Sequence, residues 1–236
     1  MQIVLGLATL FGGLWAIFAF VRWVKSHLRK PTLPAYTHDQ LRQRLTLLAI
    51  DDNGFTYEPD FRRENYRLTT WNRLDTYQAL DNYPFDLIIL DIQEIARHLS
   101  DEDGLGVARH LRDTMPSLAI MIYSSANYQI SVDTTAVDKV FNVAGGDYQK
   151  MKHEVDYLFD QLTSPDFYLR KLRALTGRFS EGDLRAIAER VTEILIDPKA
   201  ERGALQLSCH EATTTAIEVC RYARVVAGRL HQLGPL

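Results

Sequence analysis

The chain has 236 residues, 46% of them hydrophobic and 24% charged. That suits one mid-sized domain with additions or two small ones, and excludes a largely disordered chain. A net charge of −3 gives no electrostatic case for a nucleic-acid partner.

Residues 3–21 carry no charged side chain and include Leu5, Leu7, Leu10, Phe11, Leu14, Trp15, Ile17, Phe18 and Phe20. As a helix this stretch would span about 28 Å, close to a bilayer core. Arg22, Lys25, Arg29 and Lys30 follow at once, and no basic side chain precedes the run. The positive-inside rule then predicts a single-pass span over residues 1–24 in the inner membrane, N-terminus outside and the soluble part cytoplasmic. A cleaved signal peptide would want basic residues before the apolar run and small residues at a cleavage site. Ala8, Gly12 and Ala16 form a small-xxx-small ladder, which favours close helix packing and a homo-oligomer. Residues 25–44 read as a basic juxtamembrane linker interrupted by Pro31 and Pro34, with Thr37 or Asp39 capping a short helix through Arg44.

Residues 45–163 alternate apolar strands with helical segments. Strands are predicted over 45–50, 66–71, 85–92, 118–123 and 139–143. Helices are predicted over 75–83, 104–114 and 147–162. The last carries Met151, Val155, Leu158, Phe159 and Leu162 on one stripe. The region 54–65 looks poor for a long helix because Pro59 interrupts it. Residues 93–103 read as a long polar loop, and 127–138 as a weak helix. This pattern predicts βαβ units and a five-stranded, parallel, doubly wound α/β sheet.

Residues 164–236 show no strand signal and read as an all-α C-terminal domain. One helix is predicted over 167–176. Ser180, with Asp183 three positions on, caps a second that runs to about residue 197. A third covers about 203–233, where Cys209, Thr213, Ala216, Cys220, Ala223 and Ala227 recur at spacings of four and three. Such a seam of small side chains packs helices closely, within the bundle or between two copies. The two cysteines lie about 16 Å apart on that helix, beyond disulfide reach within one chain, so they read as reduced thiols.

Acid ends two of the strands, at Asp51-Asp52 and at Asp91. In doubly wound sheets function sits outside the carboxyl ends of the strands, and that is where Asp51, Asp52, Asp91 and Ser125 fall. Three carboxylates in one crevice repel each other unless a cation or protons intervene.

The runs Leu47-Leu48-Ala49-Ile50-Asp51-Asp52-Asn53, Asp86-Leu87-Ile88-Ile89-Leu90-Asp91-Ile92, Asp103-Gly104-Leu105 and Ile120-Met121-Ile122-Tyr123-Ser124-Ser125-Ala126, in that order, resemble the receiver domain of two-component response regulators. The resemblance covers residues 45–163. It implies a flavodoxin-like sheet of strand order 2-1-3-4-5. It also implies Asp91 as phosphoacceptor, Asp51 and Asp52 with Asp91 as Mg²⁺ ligands, and Ser125 as the hydroxyl that senses the phosphoryl group. The chain departs from the family where a lysine is expected after the fifth strand, because Asn142 stands there. The loop after Asp91 is longer than usual and acidic.

Two readings of function follow. The first is a membrane-anchored signalling protein whose receiver-like domain, intact or degenerate, switches by phosphorylation or by contact with a ligand or protein and acts through oligomerisation. The second is a membrane effector in which the cytoplasmic domain senses a small-molecule messenger and clusters the spans. An enzyme is not expected beyond autophosphorylation at Asp91. Haloacid-dehalogenase-like phosphatases want an Asp-x-Asp pair, whereas Asp51 and Asp52 are adjacent. No zinc-ligand spacing, P-loop or dinucleotide fingerprint appears.

Overall fold

The computed structural model describes residues 32–81, 85–124, 135–174, 179–200, 205, 207 and 210–232. The span predicted over 1–24, with Ala8, Gly12 and Ala16, lies outside the described residues. Among the described residues, no helix is long and apolar enough to cross a membrane.

The elements are α1 (His38–Arg44), β1 (Thr46–Ile50), α2 (Glu58–Arg63), β2 (Arg67–Trp71), α3 (Gln78–Asp81), β3 (Leu87–Asp91), α4 (Gly104–Thr114), β4 (Ala119–Ser124), β5 (Lys139–Asn142), α5 (Tyr148–Leu162), α6 (Pro165–Ala174), α7 (Glu181–Ile196) and α8 (His210–His231). The five strands form one sheet in the order β2-β1-β3-β4-β5, and every neighbouring pair is parallel. This is the 2-1-3-4-5 order implied by the resemblance, so the fold is receiver-like.

Short Leu- and Ile-rich runs make the central strands because both of their faces are covered. Leu47, Ala49, Leu87, Ile89, Ala119 and Met121 face one layer, with α1, α2, α5, α6, α7 and α8. Leu48, Ile50, Ile88, Leu90, Ile120 and Ile122 face the other, with α3 and α4. The C-terminal helices thus share a core with the sheet, and the described residues from Leu33 onward form one compact unit.

The caps explain where several helices begin. Thr37 and Gln40 make a capping box for α1, and Ser180 and Asp183 make one for α7; each is worth about 1 kcal/mol. Asp147 caps α5 through the Lys150 N–H. Residues 54–65 hold only the six-residue α2, in keeping with the expectation of no long helix, but Pro59 starts that helix and does not interrupt it. It sits in the first turn of α2, where a missing N–H costs nothing. The loop after β3 is not polar throughout either, since Ile95 and Ala96 are buried.

The seam on α8 is used inside the chain. Ala216, Ala223 and Ala227 are buried in the same core as Leu184, Ile187 and Val191 of α7. Thr213 and Cys220 are half-buried, and Cys209 lies outside the described residues. Burial pushes the Cys220 thiol up to about 11, so it stays protonated.

Two further contacts fix the outer helices. Arg42 of α1 reaches Asp156 of α5 with Nη2 at 2.5 Å and Nε at 3.0 Å, and the Tyr66 hydroxyl donates to the same carboxylate at 2.5 Å. Burial works against the Asp156 charge, but Arg42 and Tyr66 outweigh it and hold the carboxyl below its usual range. At the start of α4, a carbon added to Gly104 would lie 2.0 Å from the carbonyl oxygen of Asp91. Only glycine fits there.

Candidate functional site

Side chains alternate along a strand. Leu47 and Ala49 face the α5 side, so Asp51, next in that series, belongs to it as well. Leu87 and Ile89 do the same for Asp91, and Ala119 and Met121 for Tyr123. Ile50 pairs with Leu90 and Asp91 with Tyr123. Asp51, Asp91 and Tyr123 therefore continue one row across β1, β3 and β4 at the carboxyl edge.

At that edge, oxygens of Asp51, Asp52 and Asp91 lie within 4.8 Å of one another. No other such group of three potential metal ligands occurs among the described residues. Asp51 is buried, and Asp52 and Asp91 are half-buried. The Asn53 N–H donates to Asp51 Oδ1 at 3.0 Å, and the Asn53 amide to Asp52 Oδ2 at 3.0 Å. The Ile92 N–H donates to Asp91 Oδ1 at 2.6 Å.

These hydrogen bonds do not offset the confinement. Burial raises the Asp51 carboxyl above its ordinary value, and Asp52 adds to the effect. Asp91 is pushed up to about 6, first by burial and then by Asp51 and Asp52, against the N–H groups of Ile92 and Gln93. The neighbouring charges that act on Asp51 and Asp91 include one another's and that of Asp52, which are negative.

The donor set fits Mg²⁺. It consists of hard carboxylate oxygens, which this cation prefers. Asp51, Asp52 and Asp91 are the residues that would hold it.

Asn142 ends β5 and pairs with Ser124. Its side-chain oxygen accepts the Ala144 N–H at 2.9 Å, capping the tight turn Val143–Gly145. Lys139 is engaged elsewhere, with Glu154 at 2.7 Å. The corner between Asp51 and β5 is aromatic. The Tyr57 ring lies 6.3 Å from both Tyr123 and Phe141, edge to face. Phe55 lies 5.5 Å from Tyr123, and the Tyr57 hydroxyl donates to the Gly146 carbonyl at 3.1 Å. Ser125 lies outside the described residues.

Two positions beside the acids were not singled out in the sequence. Asp103 (φ +52°) is not part of the acid cluster. Its carboxylate accepts the N–H groups of Glu94 and of Ala96, the latter at 2.7 Å, and so folds the long loop behind Asp91. Tyr123 joins the row of acids. The signal for it was the alternation of β4, which puts Tyr123 in step with Met121.

No family model and no curated protein matches the chain. Among solved structures, it is similar to a response regulator protein from Thermotoga maritima in complex with Mg²⁺ and beryllium fluoride. That likeness has 21% identity, covers 48% of this chain and 98% of that one, and gives a TM-score of 0.39. It is also similar to a CheY-like receiver domain protein from Methanospirillum hungatei, with 18% identity, 50% and 95% coverage and a TM-score of 0.40. A third likeness is to a pilus assembly-related protein from Burkholderia pseudomallei, with 14% identity, 53% and 94% coverage and a TM-score of 0.40. Each covers about half of this chain. The chain's own strand order and register are what establish the receiver-like fold.

Proposed function

We propose that this protein is a membrane-anchored signalling protein whose receiver-like domain binds Mg²⁺ and accepts a phosphoryl group on Asp91. The observation that carries this reading is the meeting of Asp51, Asp52 and Asp91 at the carboxyl edge of the sheet. Bound Mg²⁺ would supply positive charge that offsets the acids and the incoming phosphoryl oxygens. Asp91, with a carboxyl titrating at about 6, is mostly ionised at neutral pH and able to act as a nucleophile. The Ile92 N–H holds its Oδ1, and a carboxylate oxygen of Asp91 attacks phosphorus. The P–O bond to Asp91 forms as the bond to the donor's leaving group breaks. The result is an aspartyl phosphate.

The test is incubation of the full chain in detergent with Mg²⁺ and a small phosphoryl donor, followed by intact-mass measurement. One added phosphoryl group is expected, absent without Mg²⁺ and absent in Asp91→Asn. No mass shift, or a shift that survives Asp91→Asn, overturns the proposal.

A second reading has its own observation. Asn142, which stands where the family resemblance implies a lysine, is spent on capping a turn, and the corner between Asp51 and β5 is aromatic. On this reading the domain switches by cation or protein contact without the covalent step. Mg²⁺ binding with no mass shift would favour it.

The anchor belongs to the proposal through the sequence of residues 1–24, with the Ala8, Gly12 and Ala16 face as the place where spans associate.

A further inference from the structure

We propose that the groove where the turn between α4 and β4 faces α8 binds a small, uncharged, mainly apolar molecule carrying one hydrogen-bonding group, and that the Ser117 hydroxyl receives that group. The groove lies at the amino edge of the sheet, at the end of α4 remote from Asp91. The proposal is independent of the phosphoryl reading above.

The groove has a volume of about 490 Å³, within the range usual for small-molecule sites. Leu80, Phe85, Met115, Pro116 and Val225 give it apolar walls. Leu80 and Phe85 are buried and Val225 is exposed, so apolar surface runs from the floor to the mouth. Arg221 and Glu218 also line it, and they meet each other at 2.6 Å. Their charges offset one another, so an ion gains little there and an uncharged molecule is favoured.

The two sides are fixed by hydrogen bonds. Arg112 Nη1 donates to the carbonyls of Pro116 at 2.7 Å and Leu118 at 3.1 Å, which pins the backbone on either side of Ser117. The Tyr222 hydroxyl donates to the Asp86 carbonyl at 3.0 Å, which ties α8 to the approach to β3. The Thr114 hydroxyl donates to the His110 carbonyl at 2.8 Å. Thr114 and Tyr222 have thus given their protons to the chain. Ser117 differs from both. It lines the groove, is 3% exposed, and its Oγ has no hydrogen-bond partner among the described residues. A buried hydroxyl in that condition is costly and uncommon in folded proteins. It swings between staggered positions about a single bond and can serve as donor or acceptor. A polar atom carried on an apolar body seated in the groove would complete it.

The probe is indole, a flat apolar body with a single N–H. The control is 1-methylindole, the same body without the donor. Each is titrated into the full-length protein in detergent while NMR follows the methyl groups of Leu80, Met115 and Val225. Comparing variants with one ligand at a time cancels that ligand's partitioning into micelles. Indole should shift all three methyl groups together. Ser117→Ala should weaken indole about fivefold, leave 1-methylindole unchanged, and not lower the thermal midpoint. No shift at these methyl groups overturns the proposal. So does an indole affinity that Ser117→Ala leaves unchanged, or an equal loss for the two ligands. Tighter binding of indole-3-acetate than of indole overturns the choice of an uncharged molecule. If Ser117→Ala fails to fold, the two ligands are compared on the wild type, with free concentrations corrected against protein-free micelles. Equal affinities then overturn the proposal, and weaker binding of 1-methylindole supports it.

Discussion

The two ends of the sheet treat buried acid in opposite ways. At the amino edge each carboxylate has a cation brought to it. Asp86, just before β3, is 0% exposed and meets Arg229 of α8 together with the Thr46 N–H and hydroxyl. Asp138, just before β5, meets Arg112 of α4 at 2.9 Å and Lys171 of α6. At the carboxyl edge Asp51, Asp52 and Asp91 face one another, and the N–H groups of Asn53 and Ile92 and the Asn53 amide that donate to them carry no charge. An acid with a resident cation is part of the structure. A cluster of acids with no ion pair among the described residues is a candidate binding place. The difference separates a docking edge, where the C-terminal helices are fastened, from a working edge.

Breaking the amino edge should have the largest effect. Arg229→Met leaves Asp86 buried with no cation. Losing one partner of a buried pair costs about 3–5 kcal/mol, so the thermal midpoint should drop by about 10 °C. Thermal unfolding followed by circular dichroism checks this. A drop under about 2 °C would show that the two edges do not differ as described.

Relieving the carboxyl edge should act in the other direction. The Asp91 carboxyl titrates at about 6 in the folded chain, above the ordinary carboxylate value, so folding favours its protonated form. Stability is then lost as pH rises from about 4 through 6, and the loss persists above that. Asp91→Asn removes this penalty. Its thermal midpoint should exceed the wild type's by about 3–6 °C at pH 8 without metal, and match it at pH 4. Scans at the two pH values check the sign.

The smallest effect concerns Lys171, where the amino edge has a second cation to spare. Burial pulls the Lys171 ammonium down to about 7, against the pull of Asp138. Above that value the folded chain binds fewer protons than the unfolded one, so stability rises with pH between about 7 and 10. Lys171→Met should flatten that rise. It should change the midpoint at pH 7 by only about 1–3 °C, because Arg112 still holds Asp138. Midpoints measured across pH 7 to 10 in both proteins check it.

The working edge was largely legible in the sequence, because a buried strand ending in acid is a local signal. Asp51, Asp52 and Asp91 each follow an apolar run that fixes where they emerge. The docking edge was not legible. Asp86 and Arg229 are 143 residues apart, and nothing near either one names the other. Tyr123 lay between these cases. Its neighbours made it read as a strand residue, and only the pairing of β4 with β3 shows which acid it stands beside. Asp103 escaped for a similar reason: in a run of loop acids, nothing local tells the one that takes backbone N–H groups from those that face water.

The glycine at the head of α4 has a mechanical consequence. The helix starts against the carbonyl of Asp91 with no clearance for even one carbon, and it extends about 16 Å. Its other end leads into Thr114, Met115 and Pro116, which line a groove with Tyr222 and Val225 of α8. Any larger residue at position 104 would have to part the start of α4 from the Asp91 peptide.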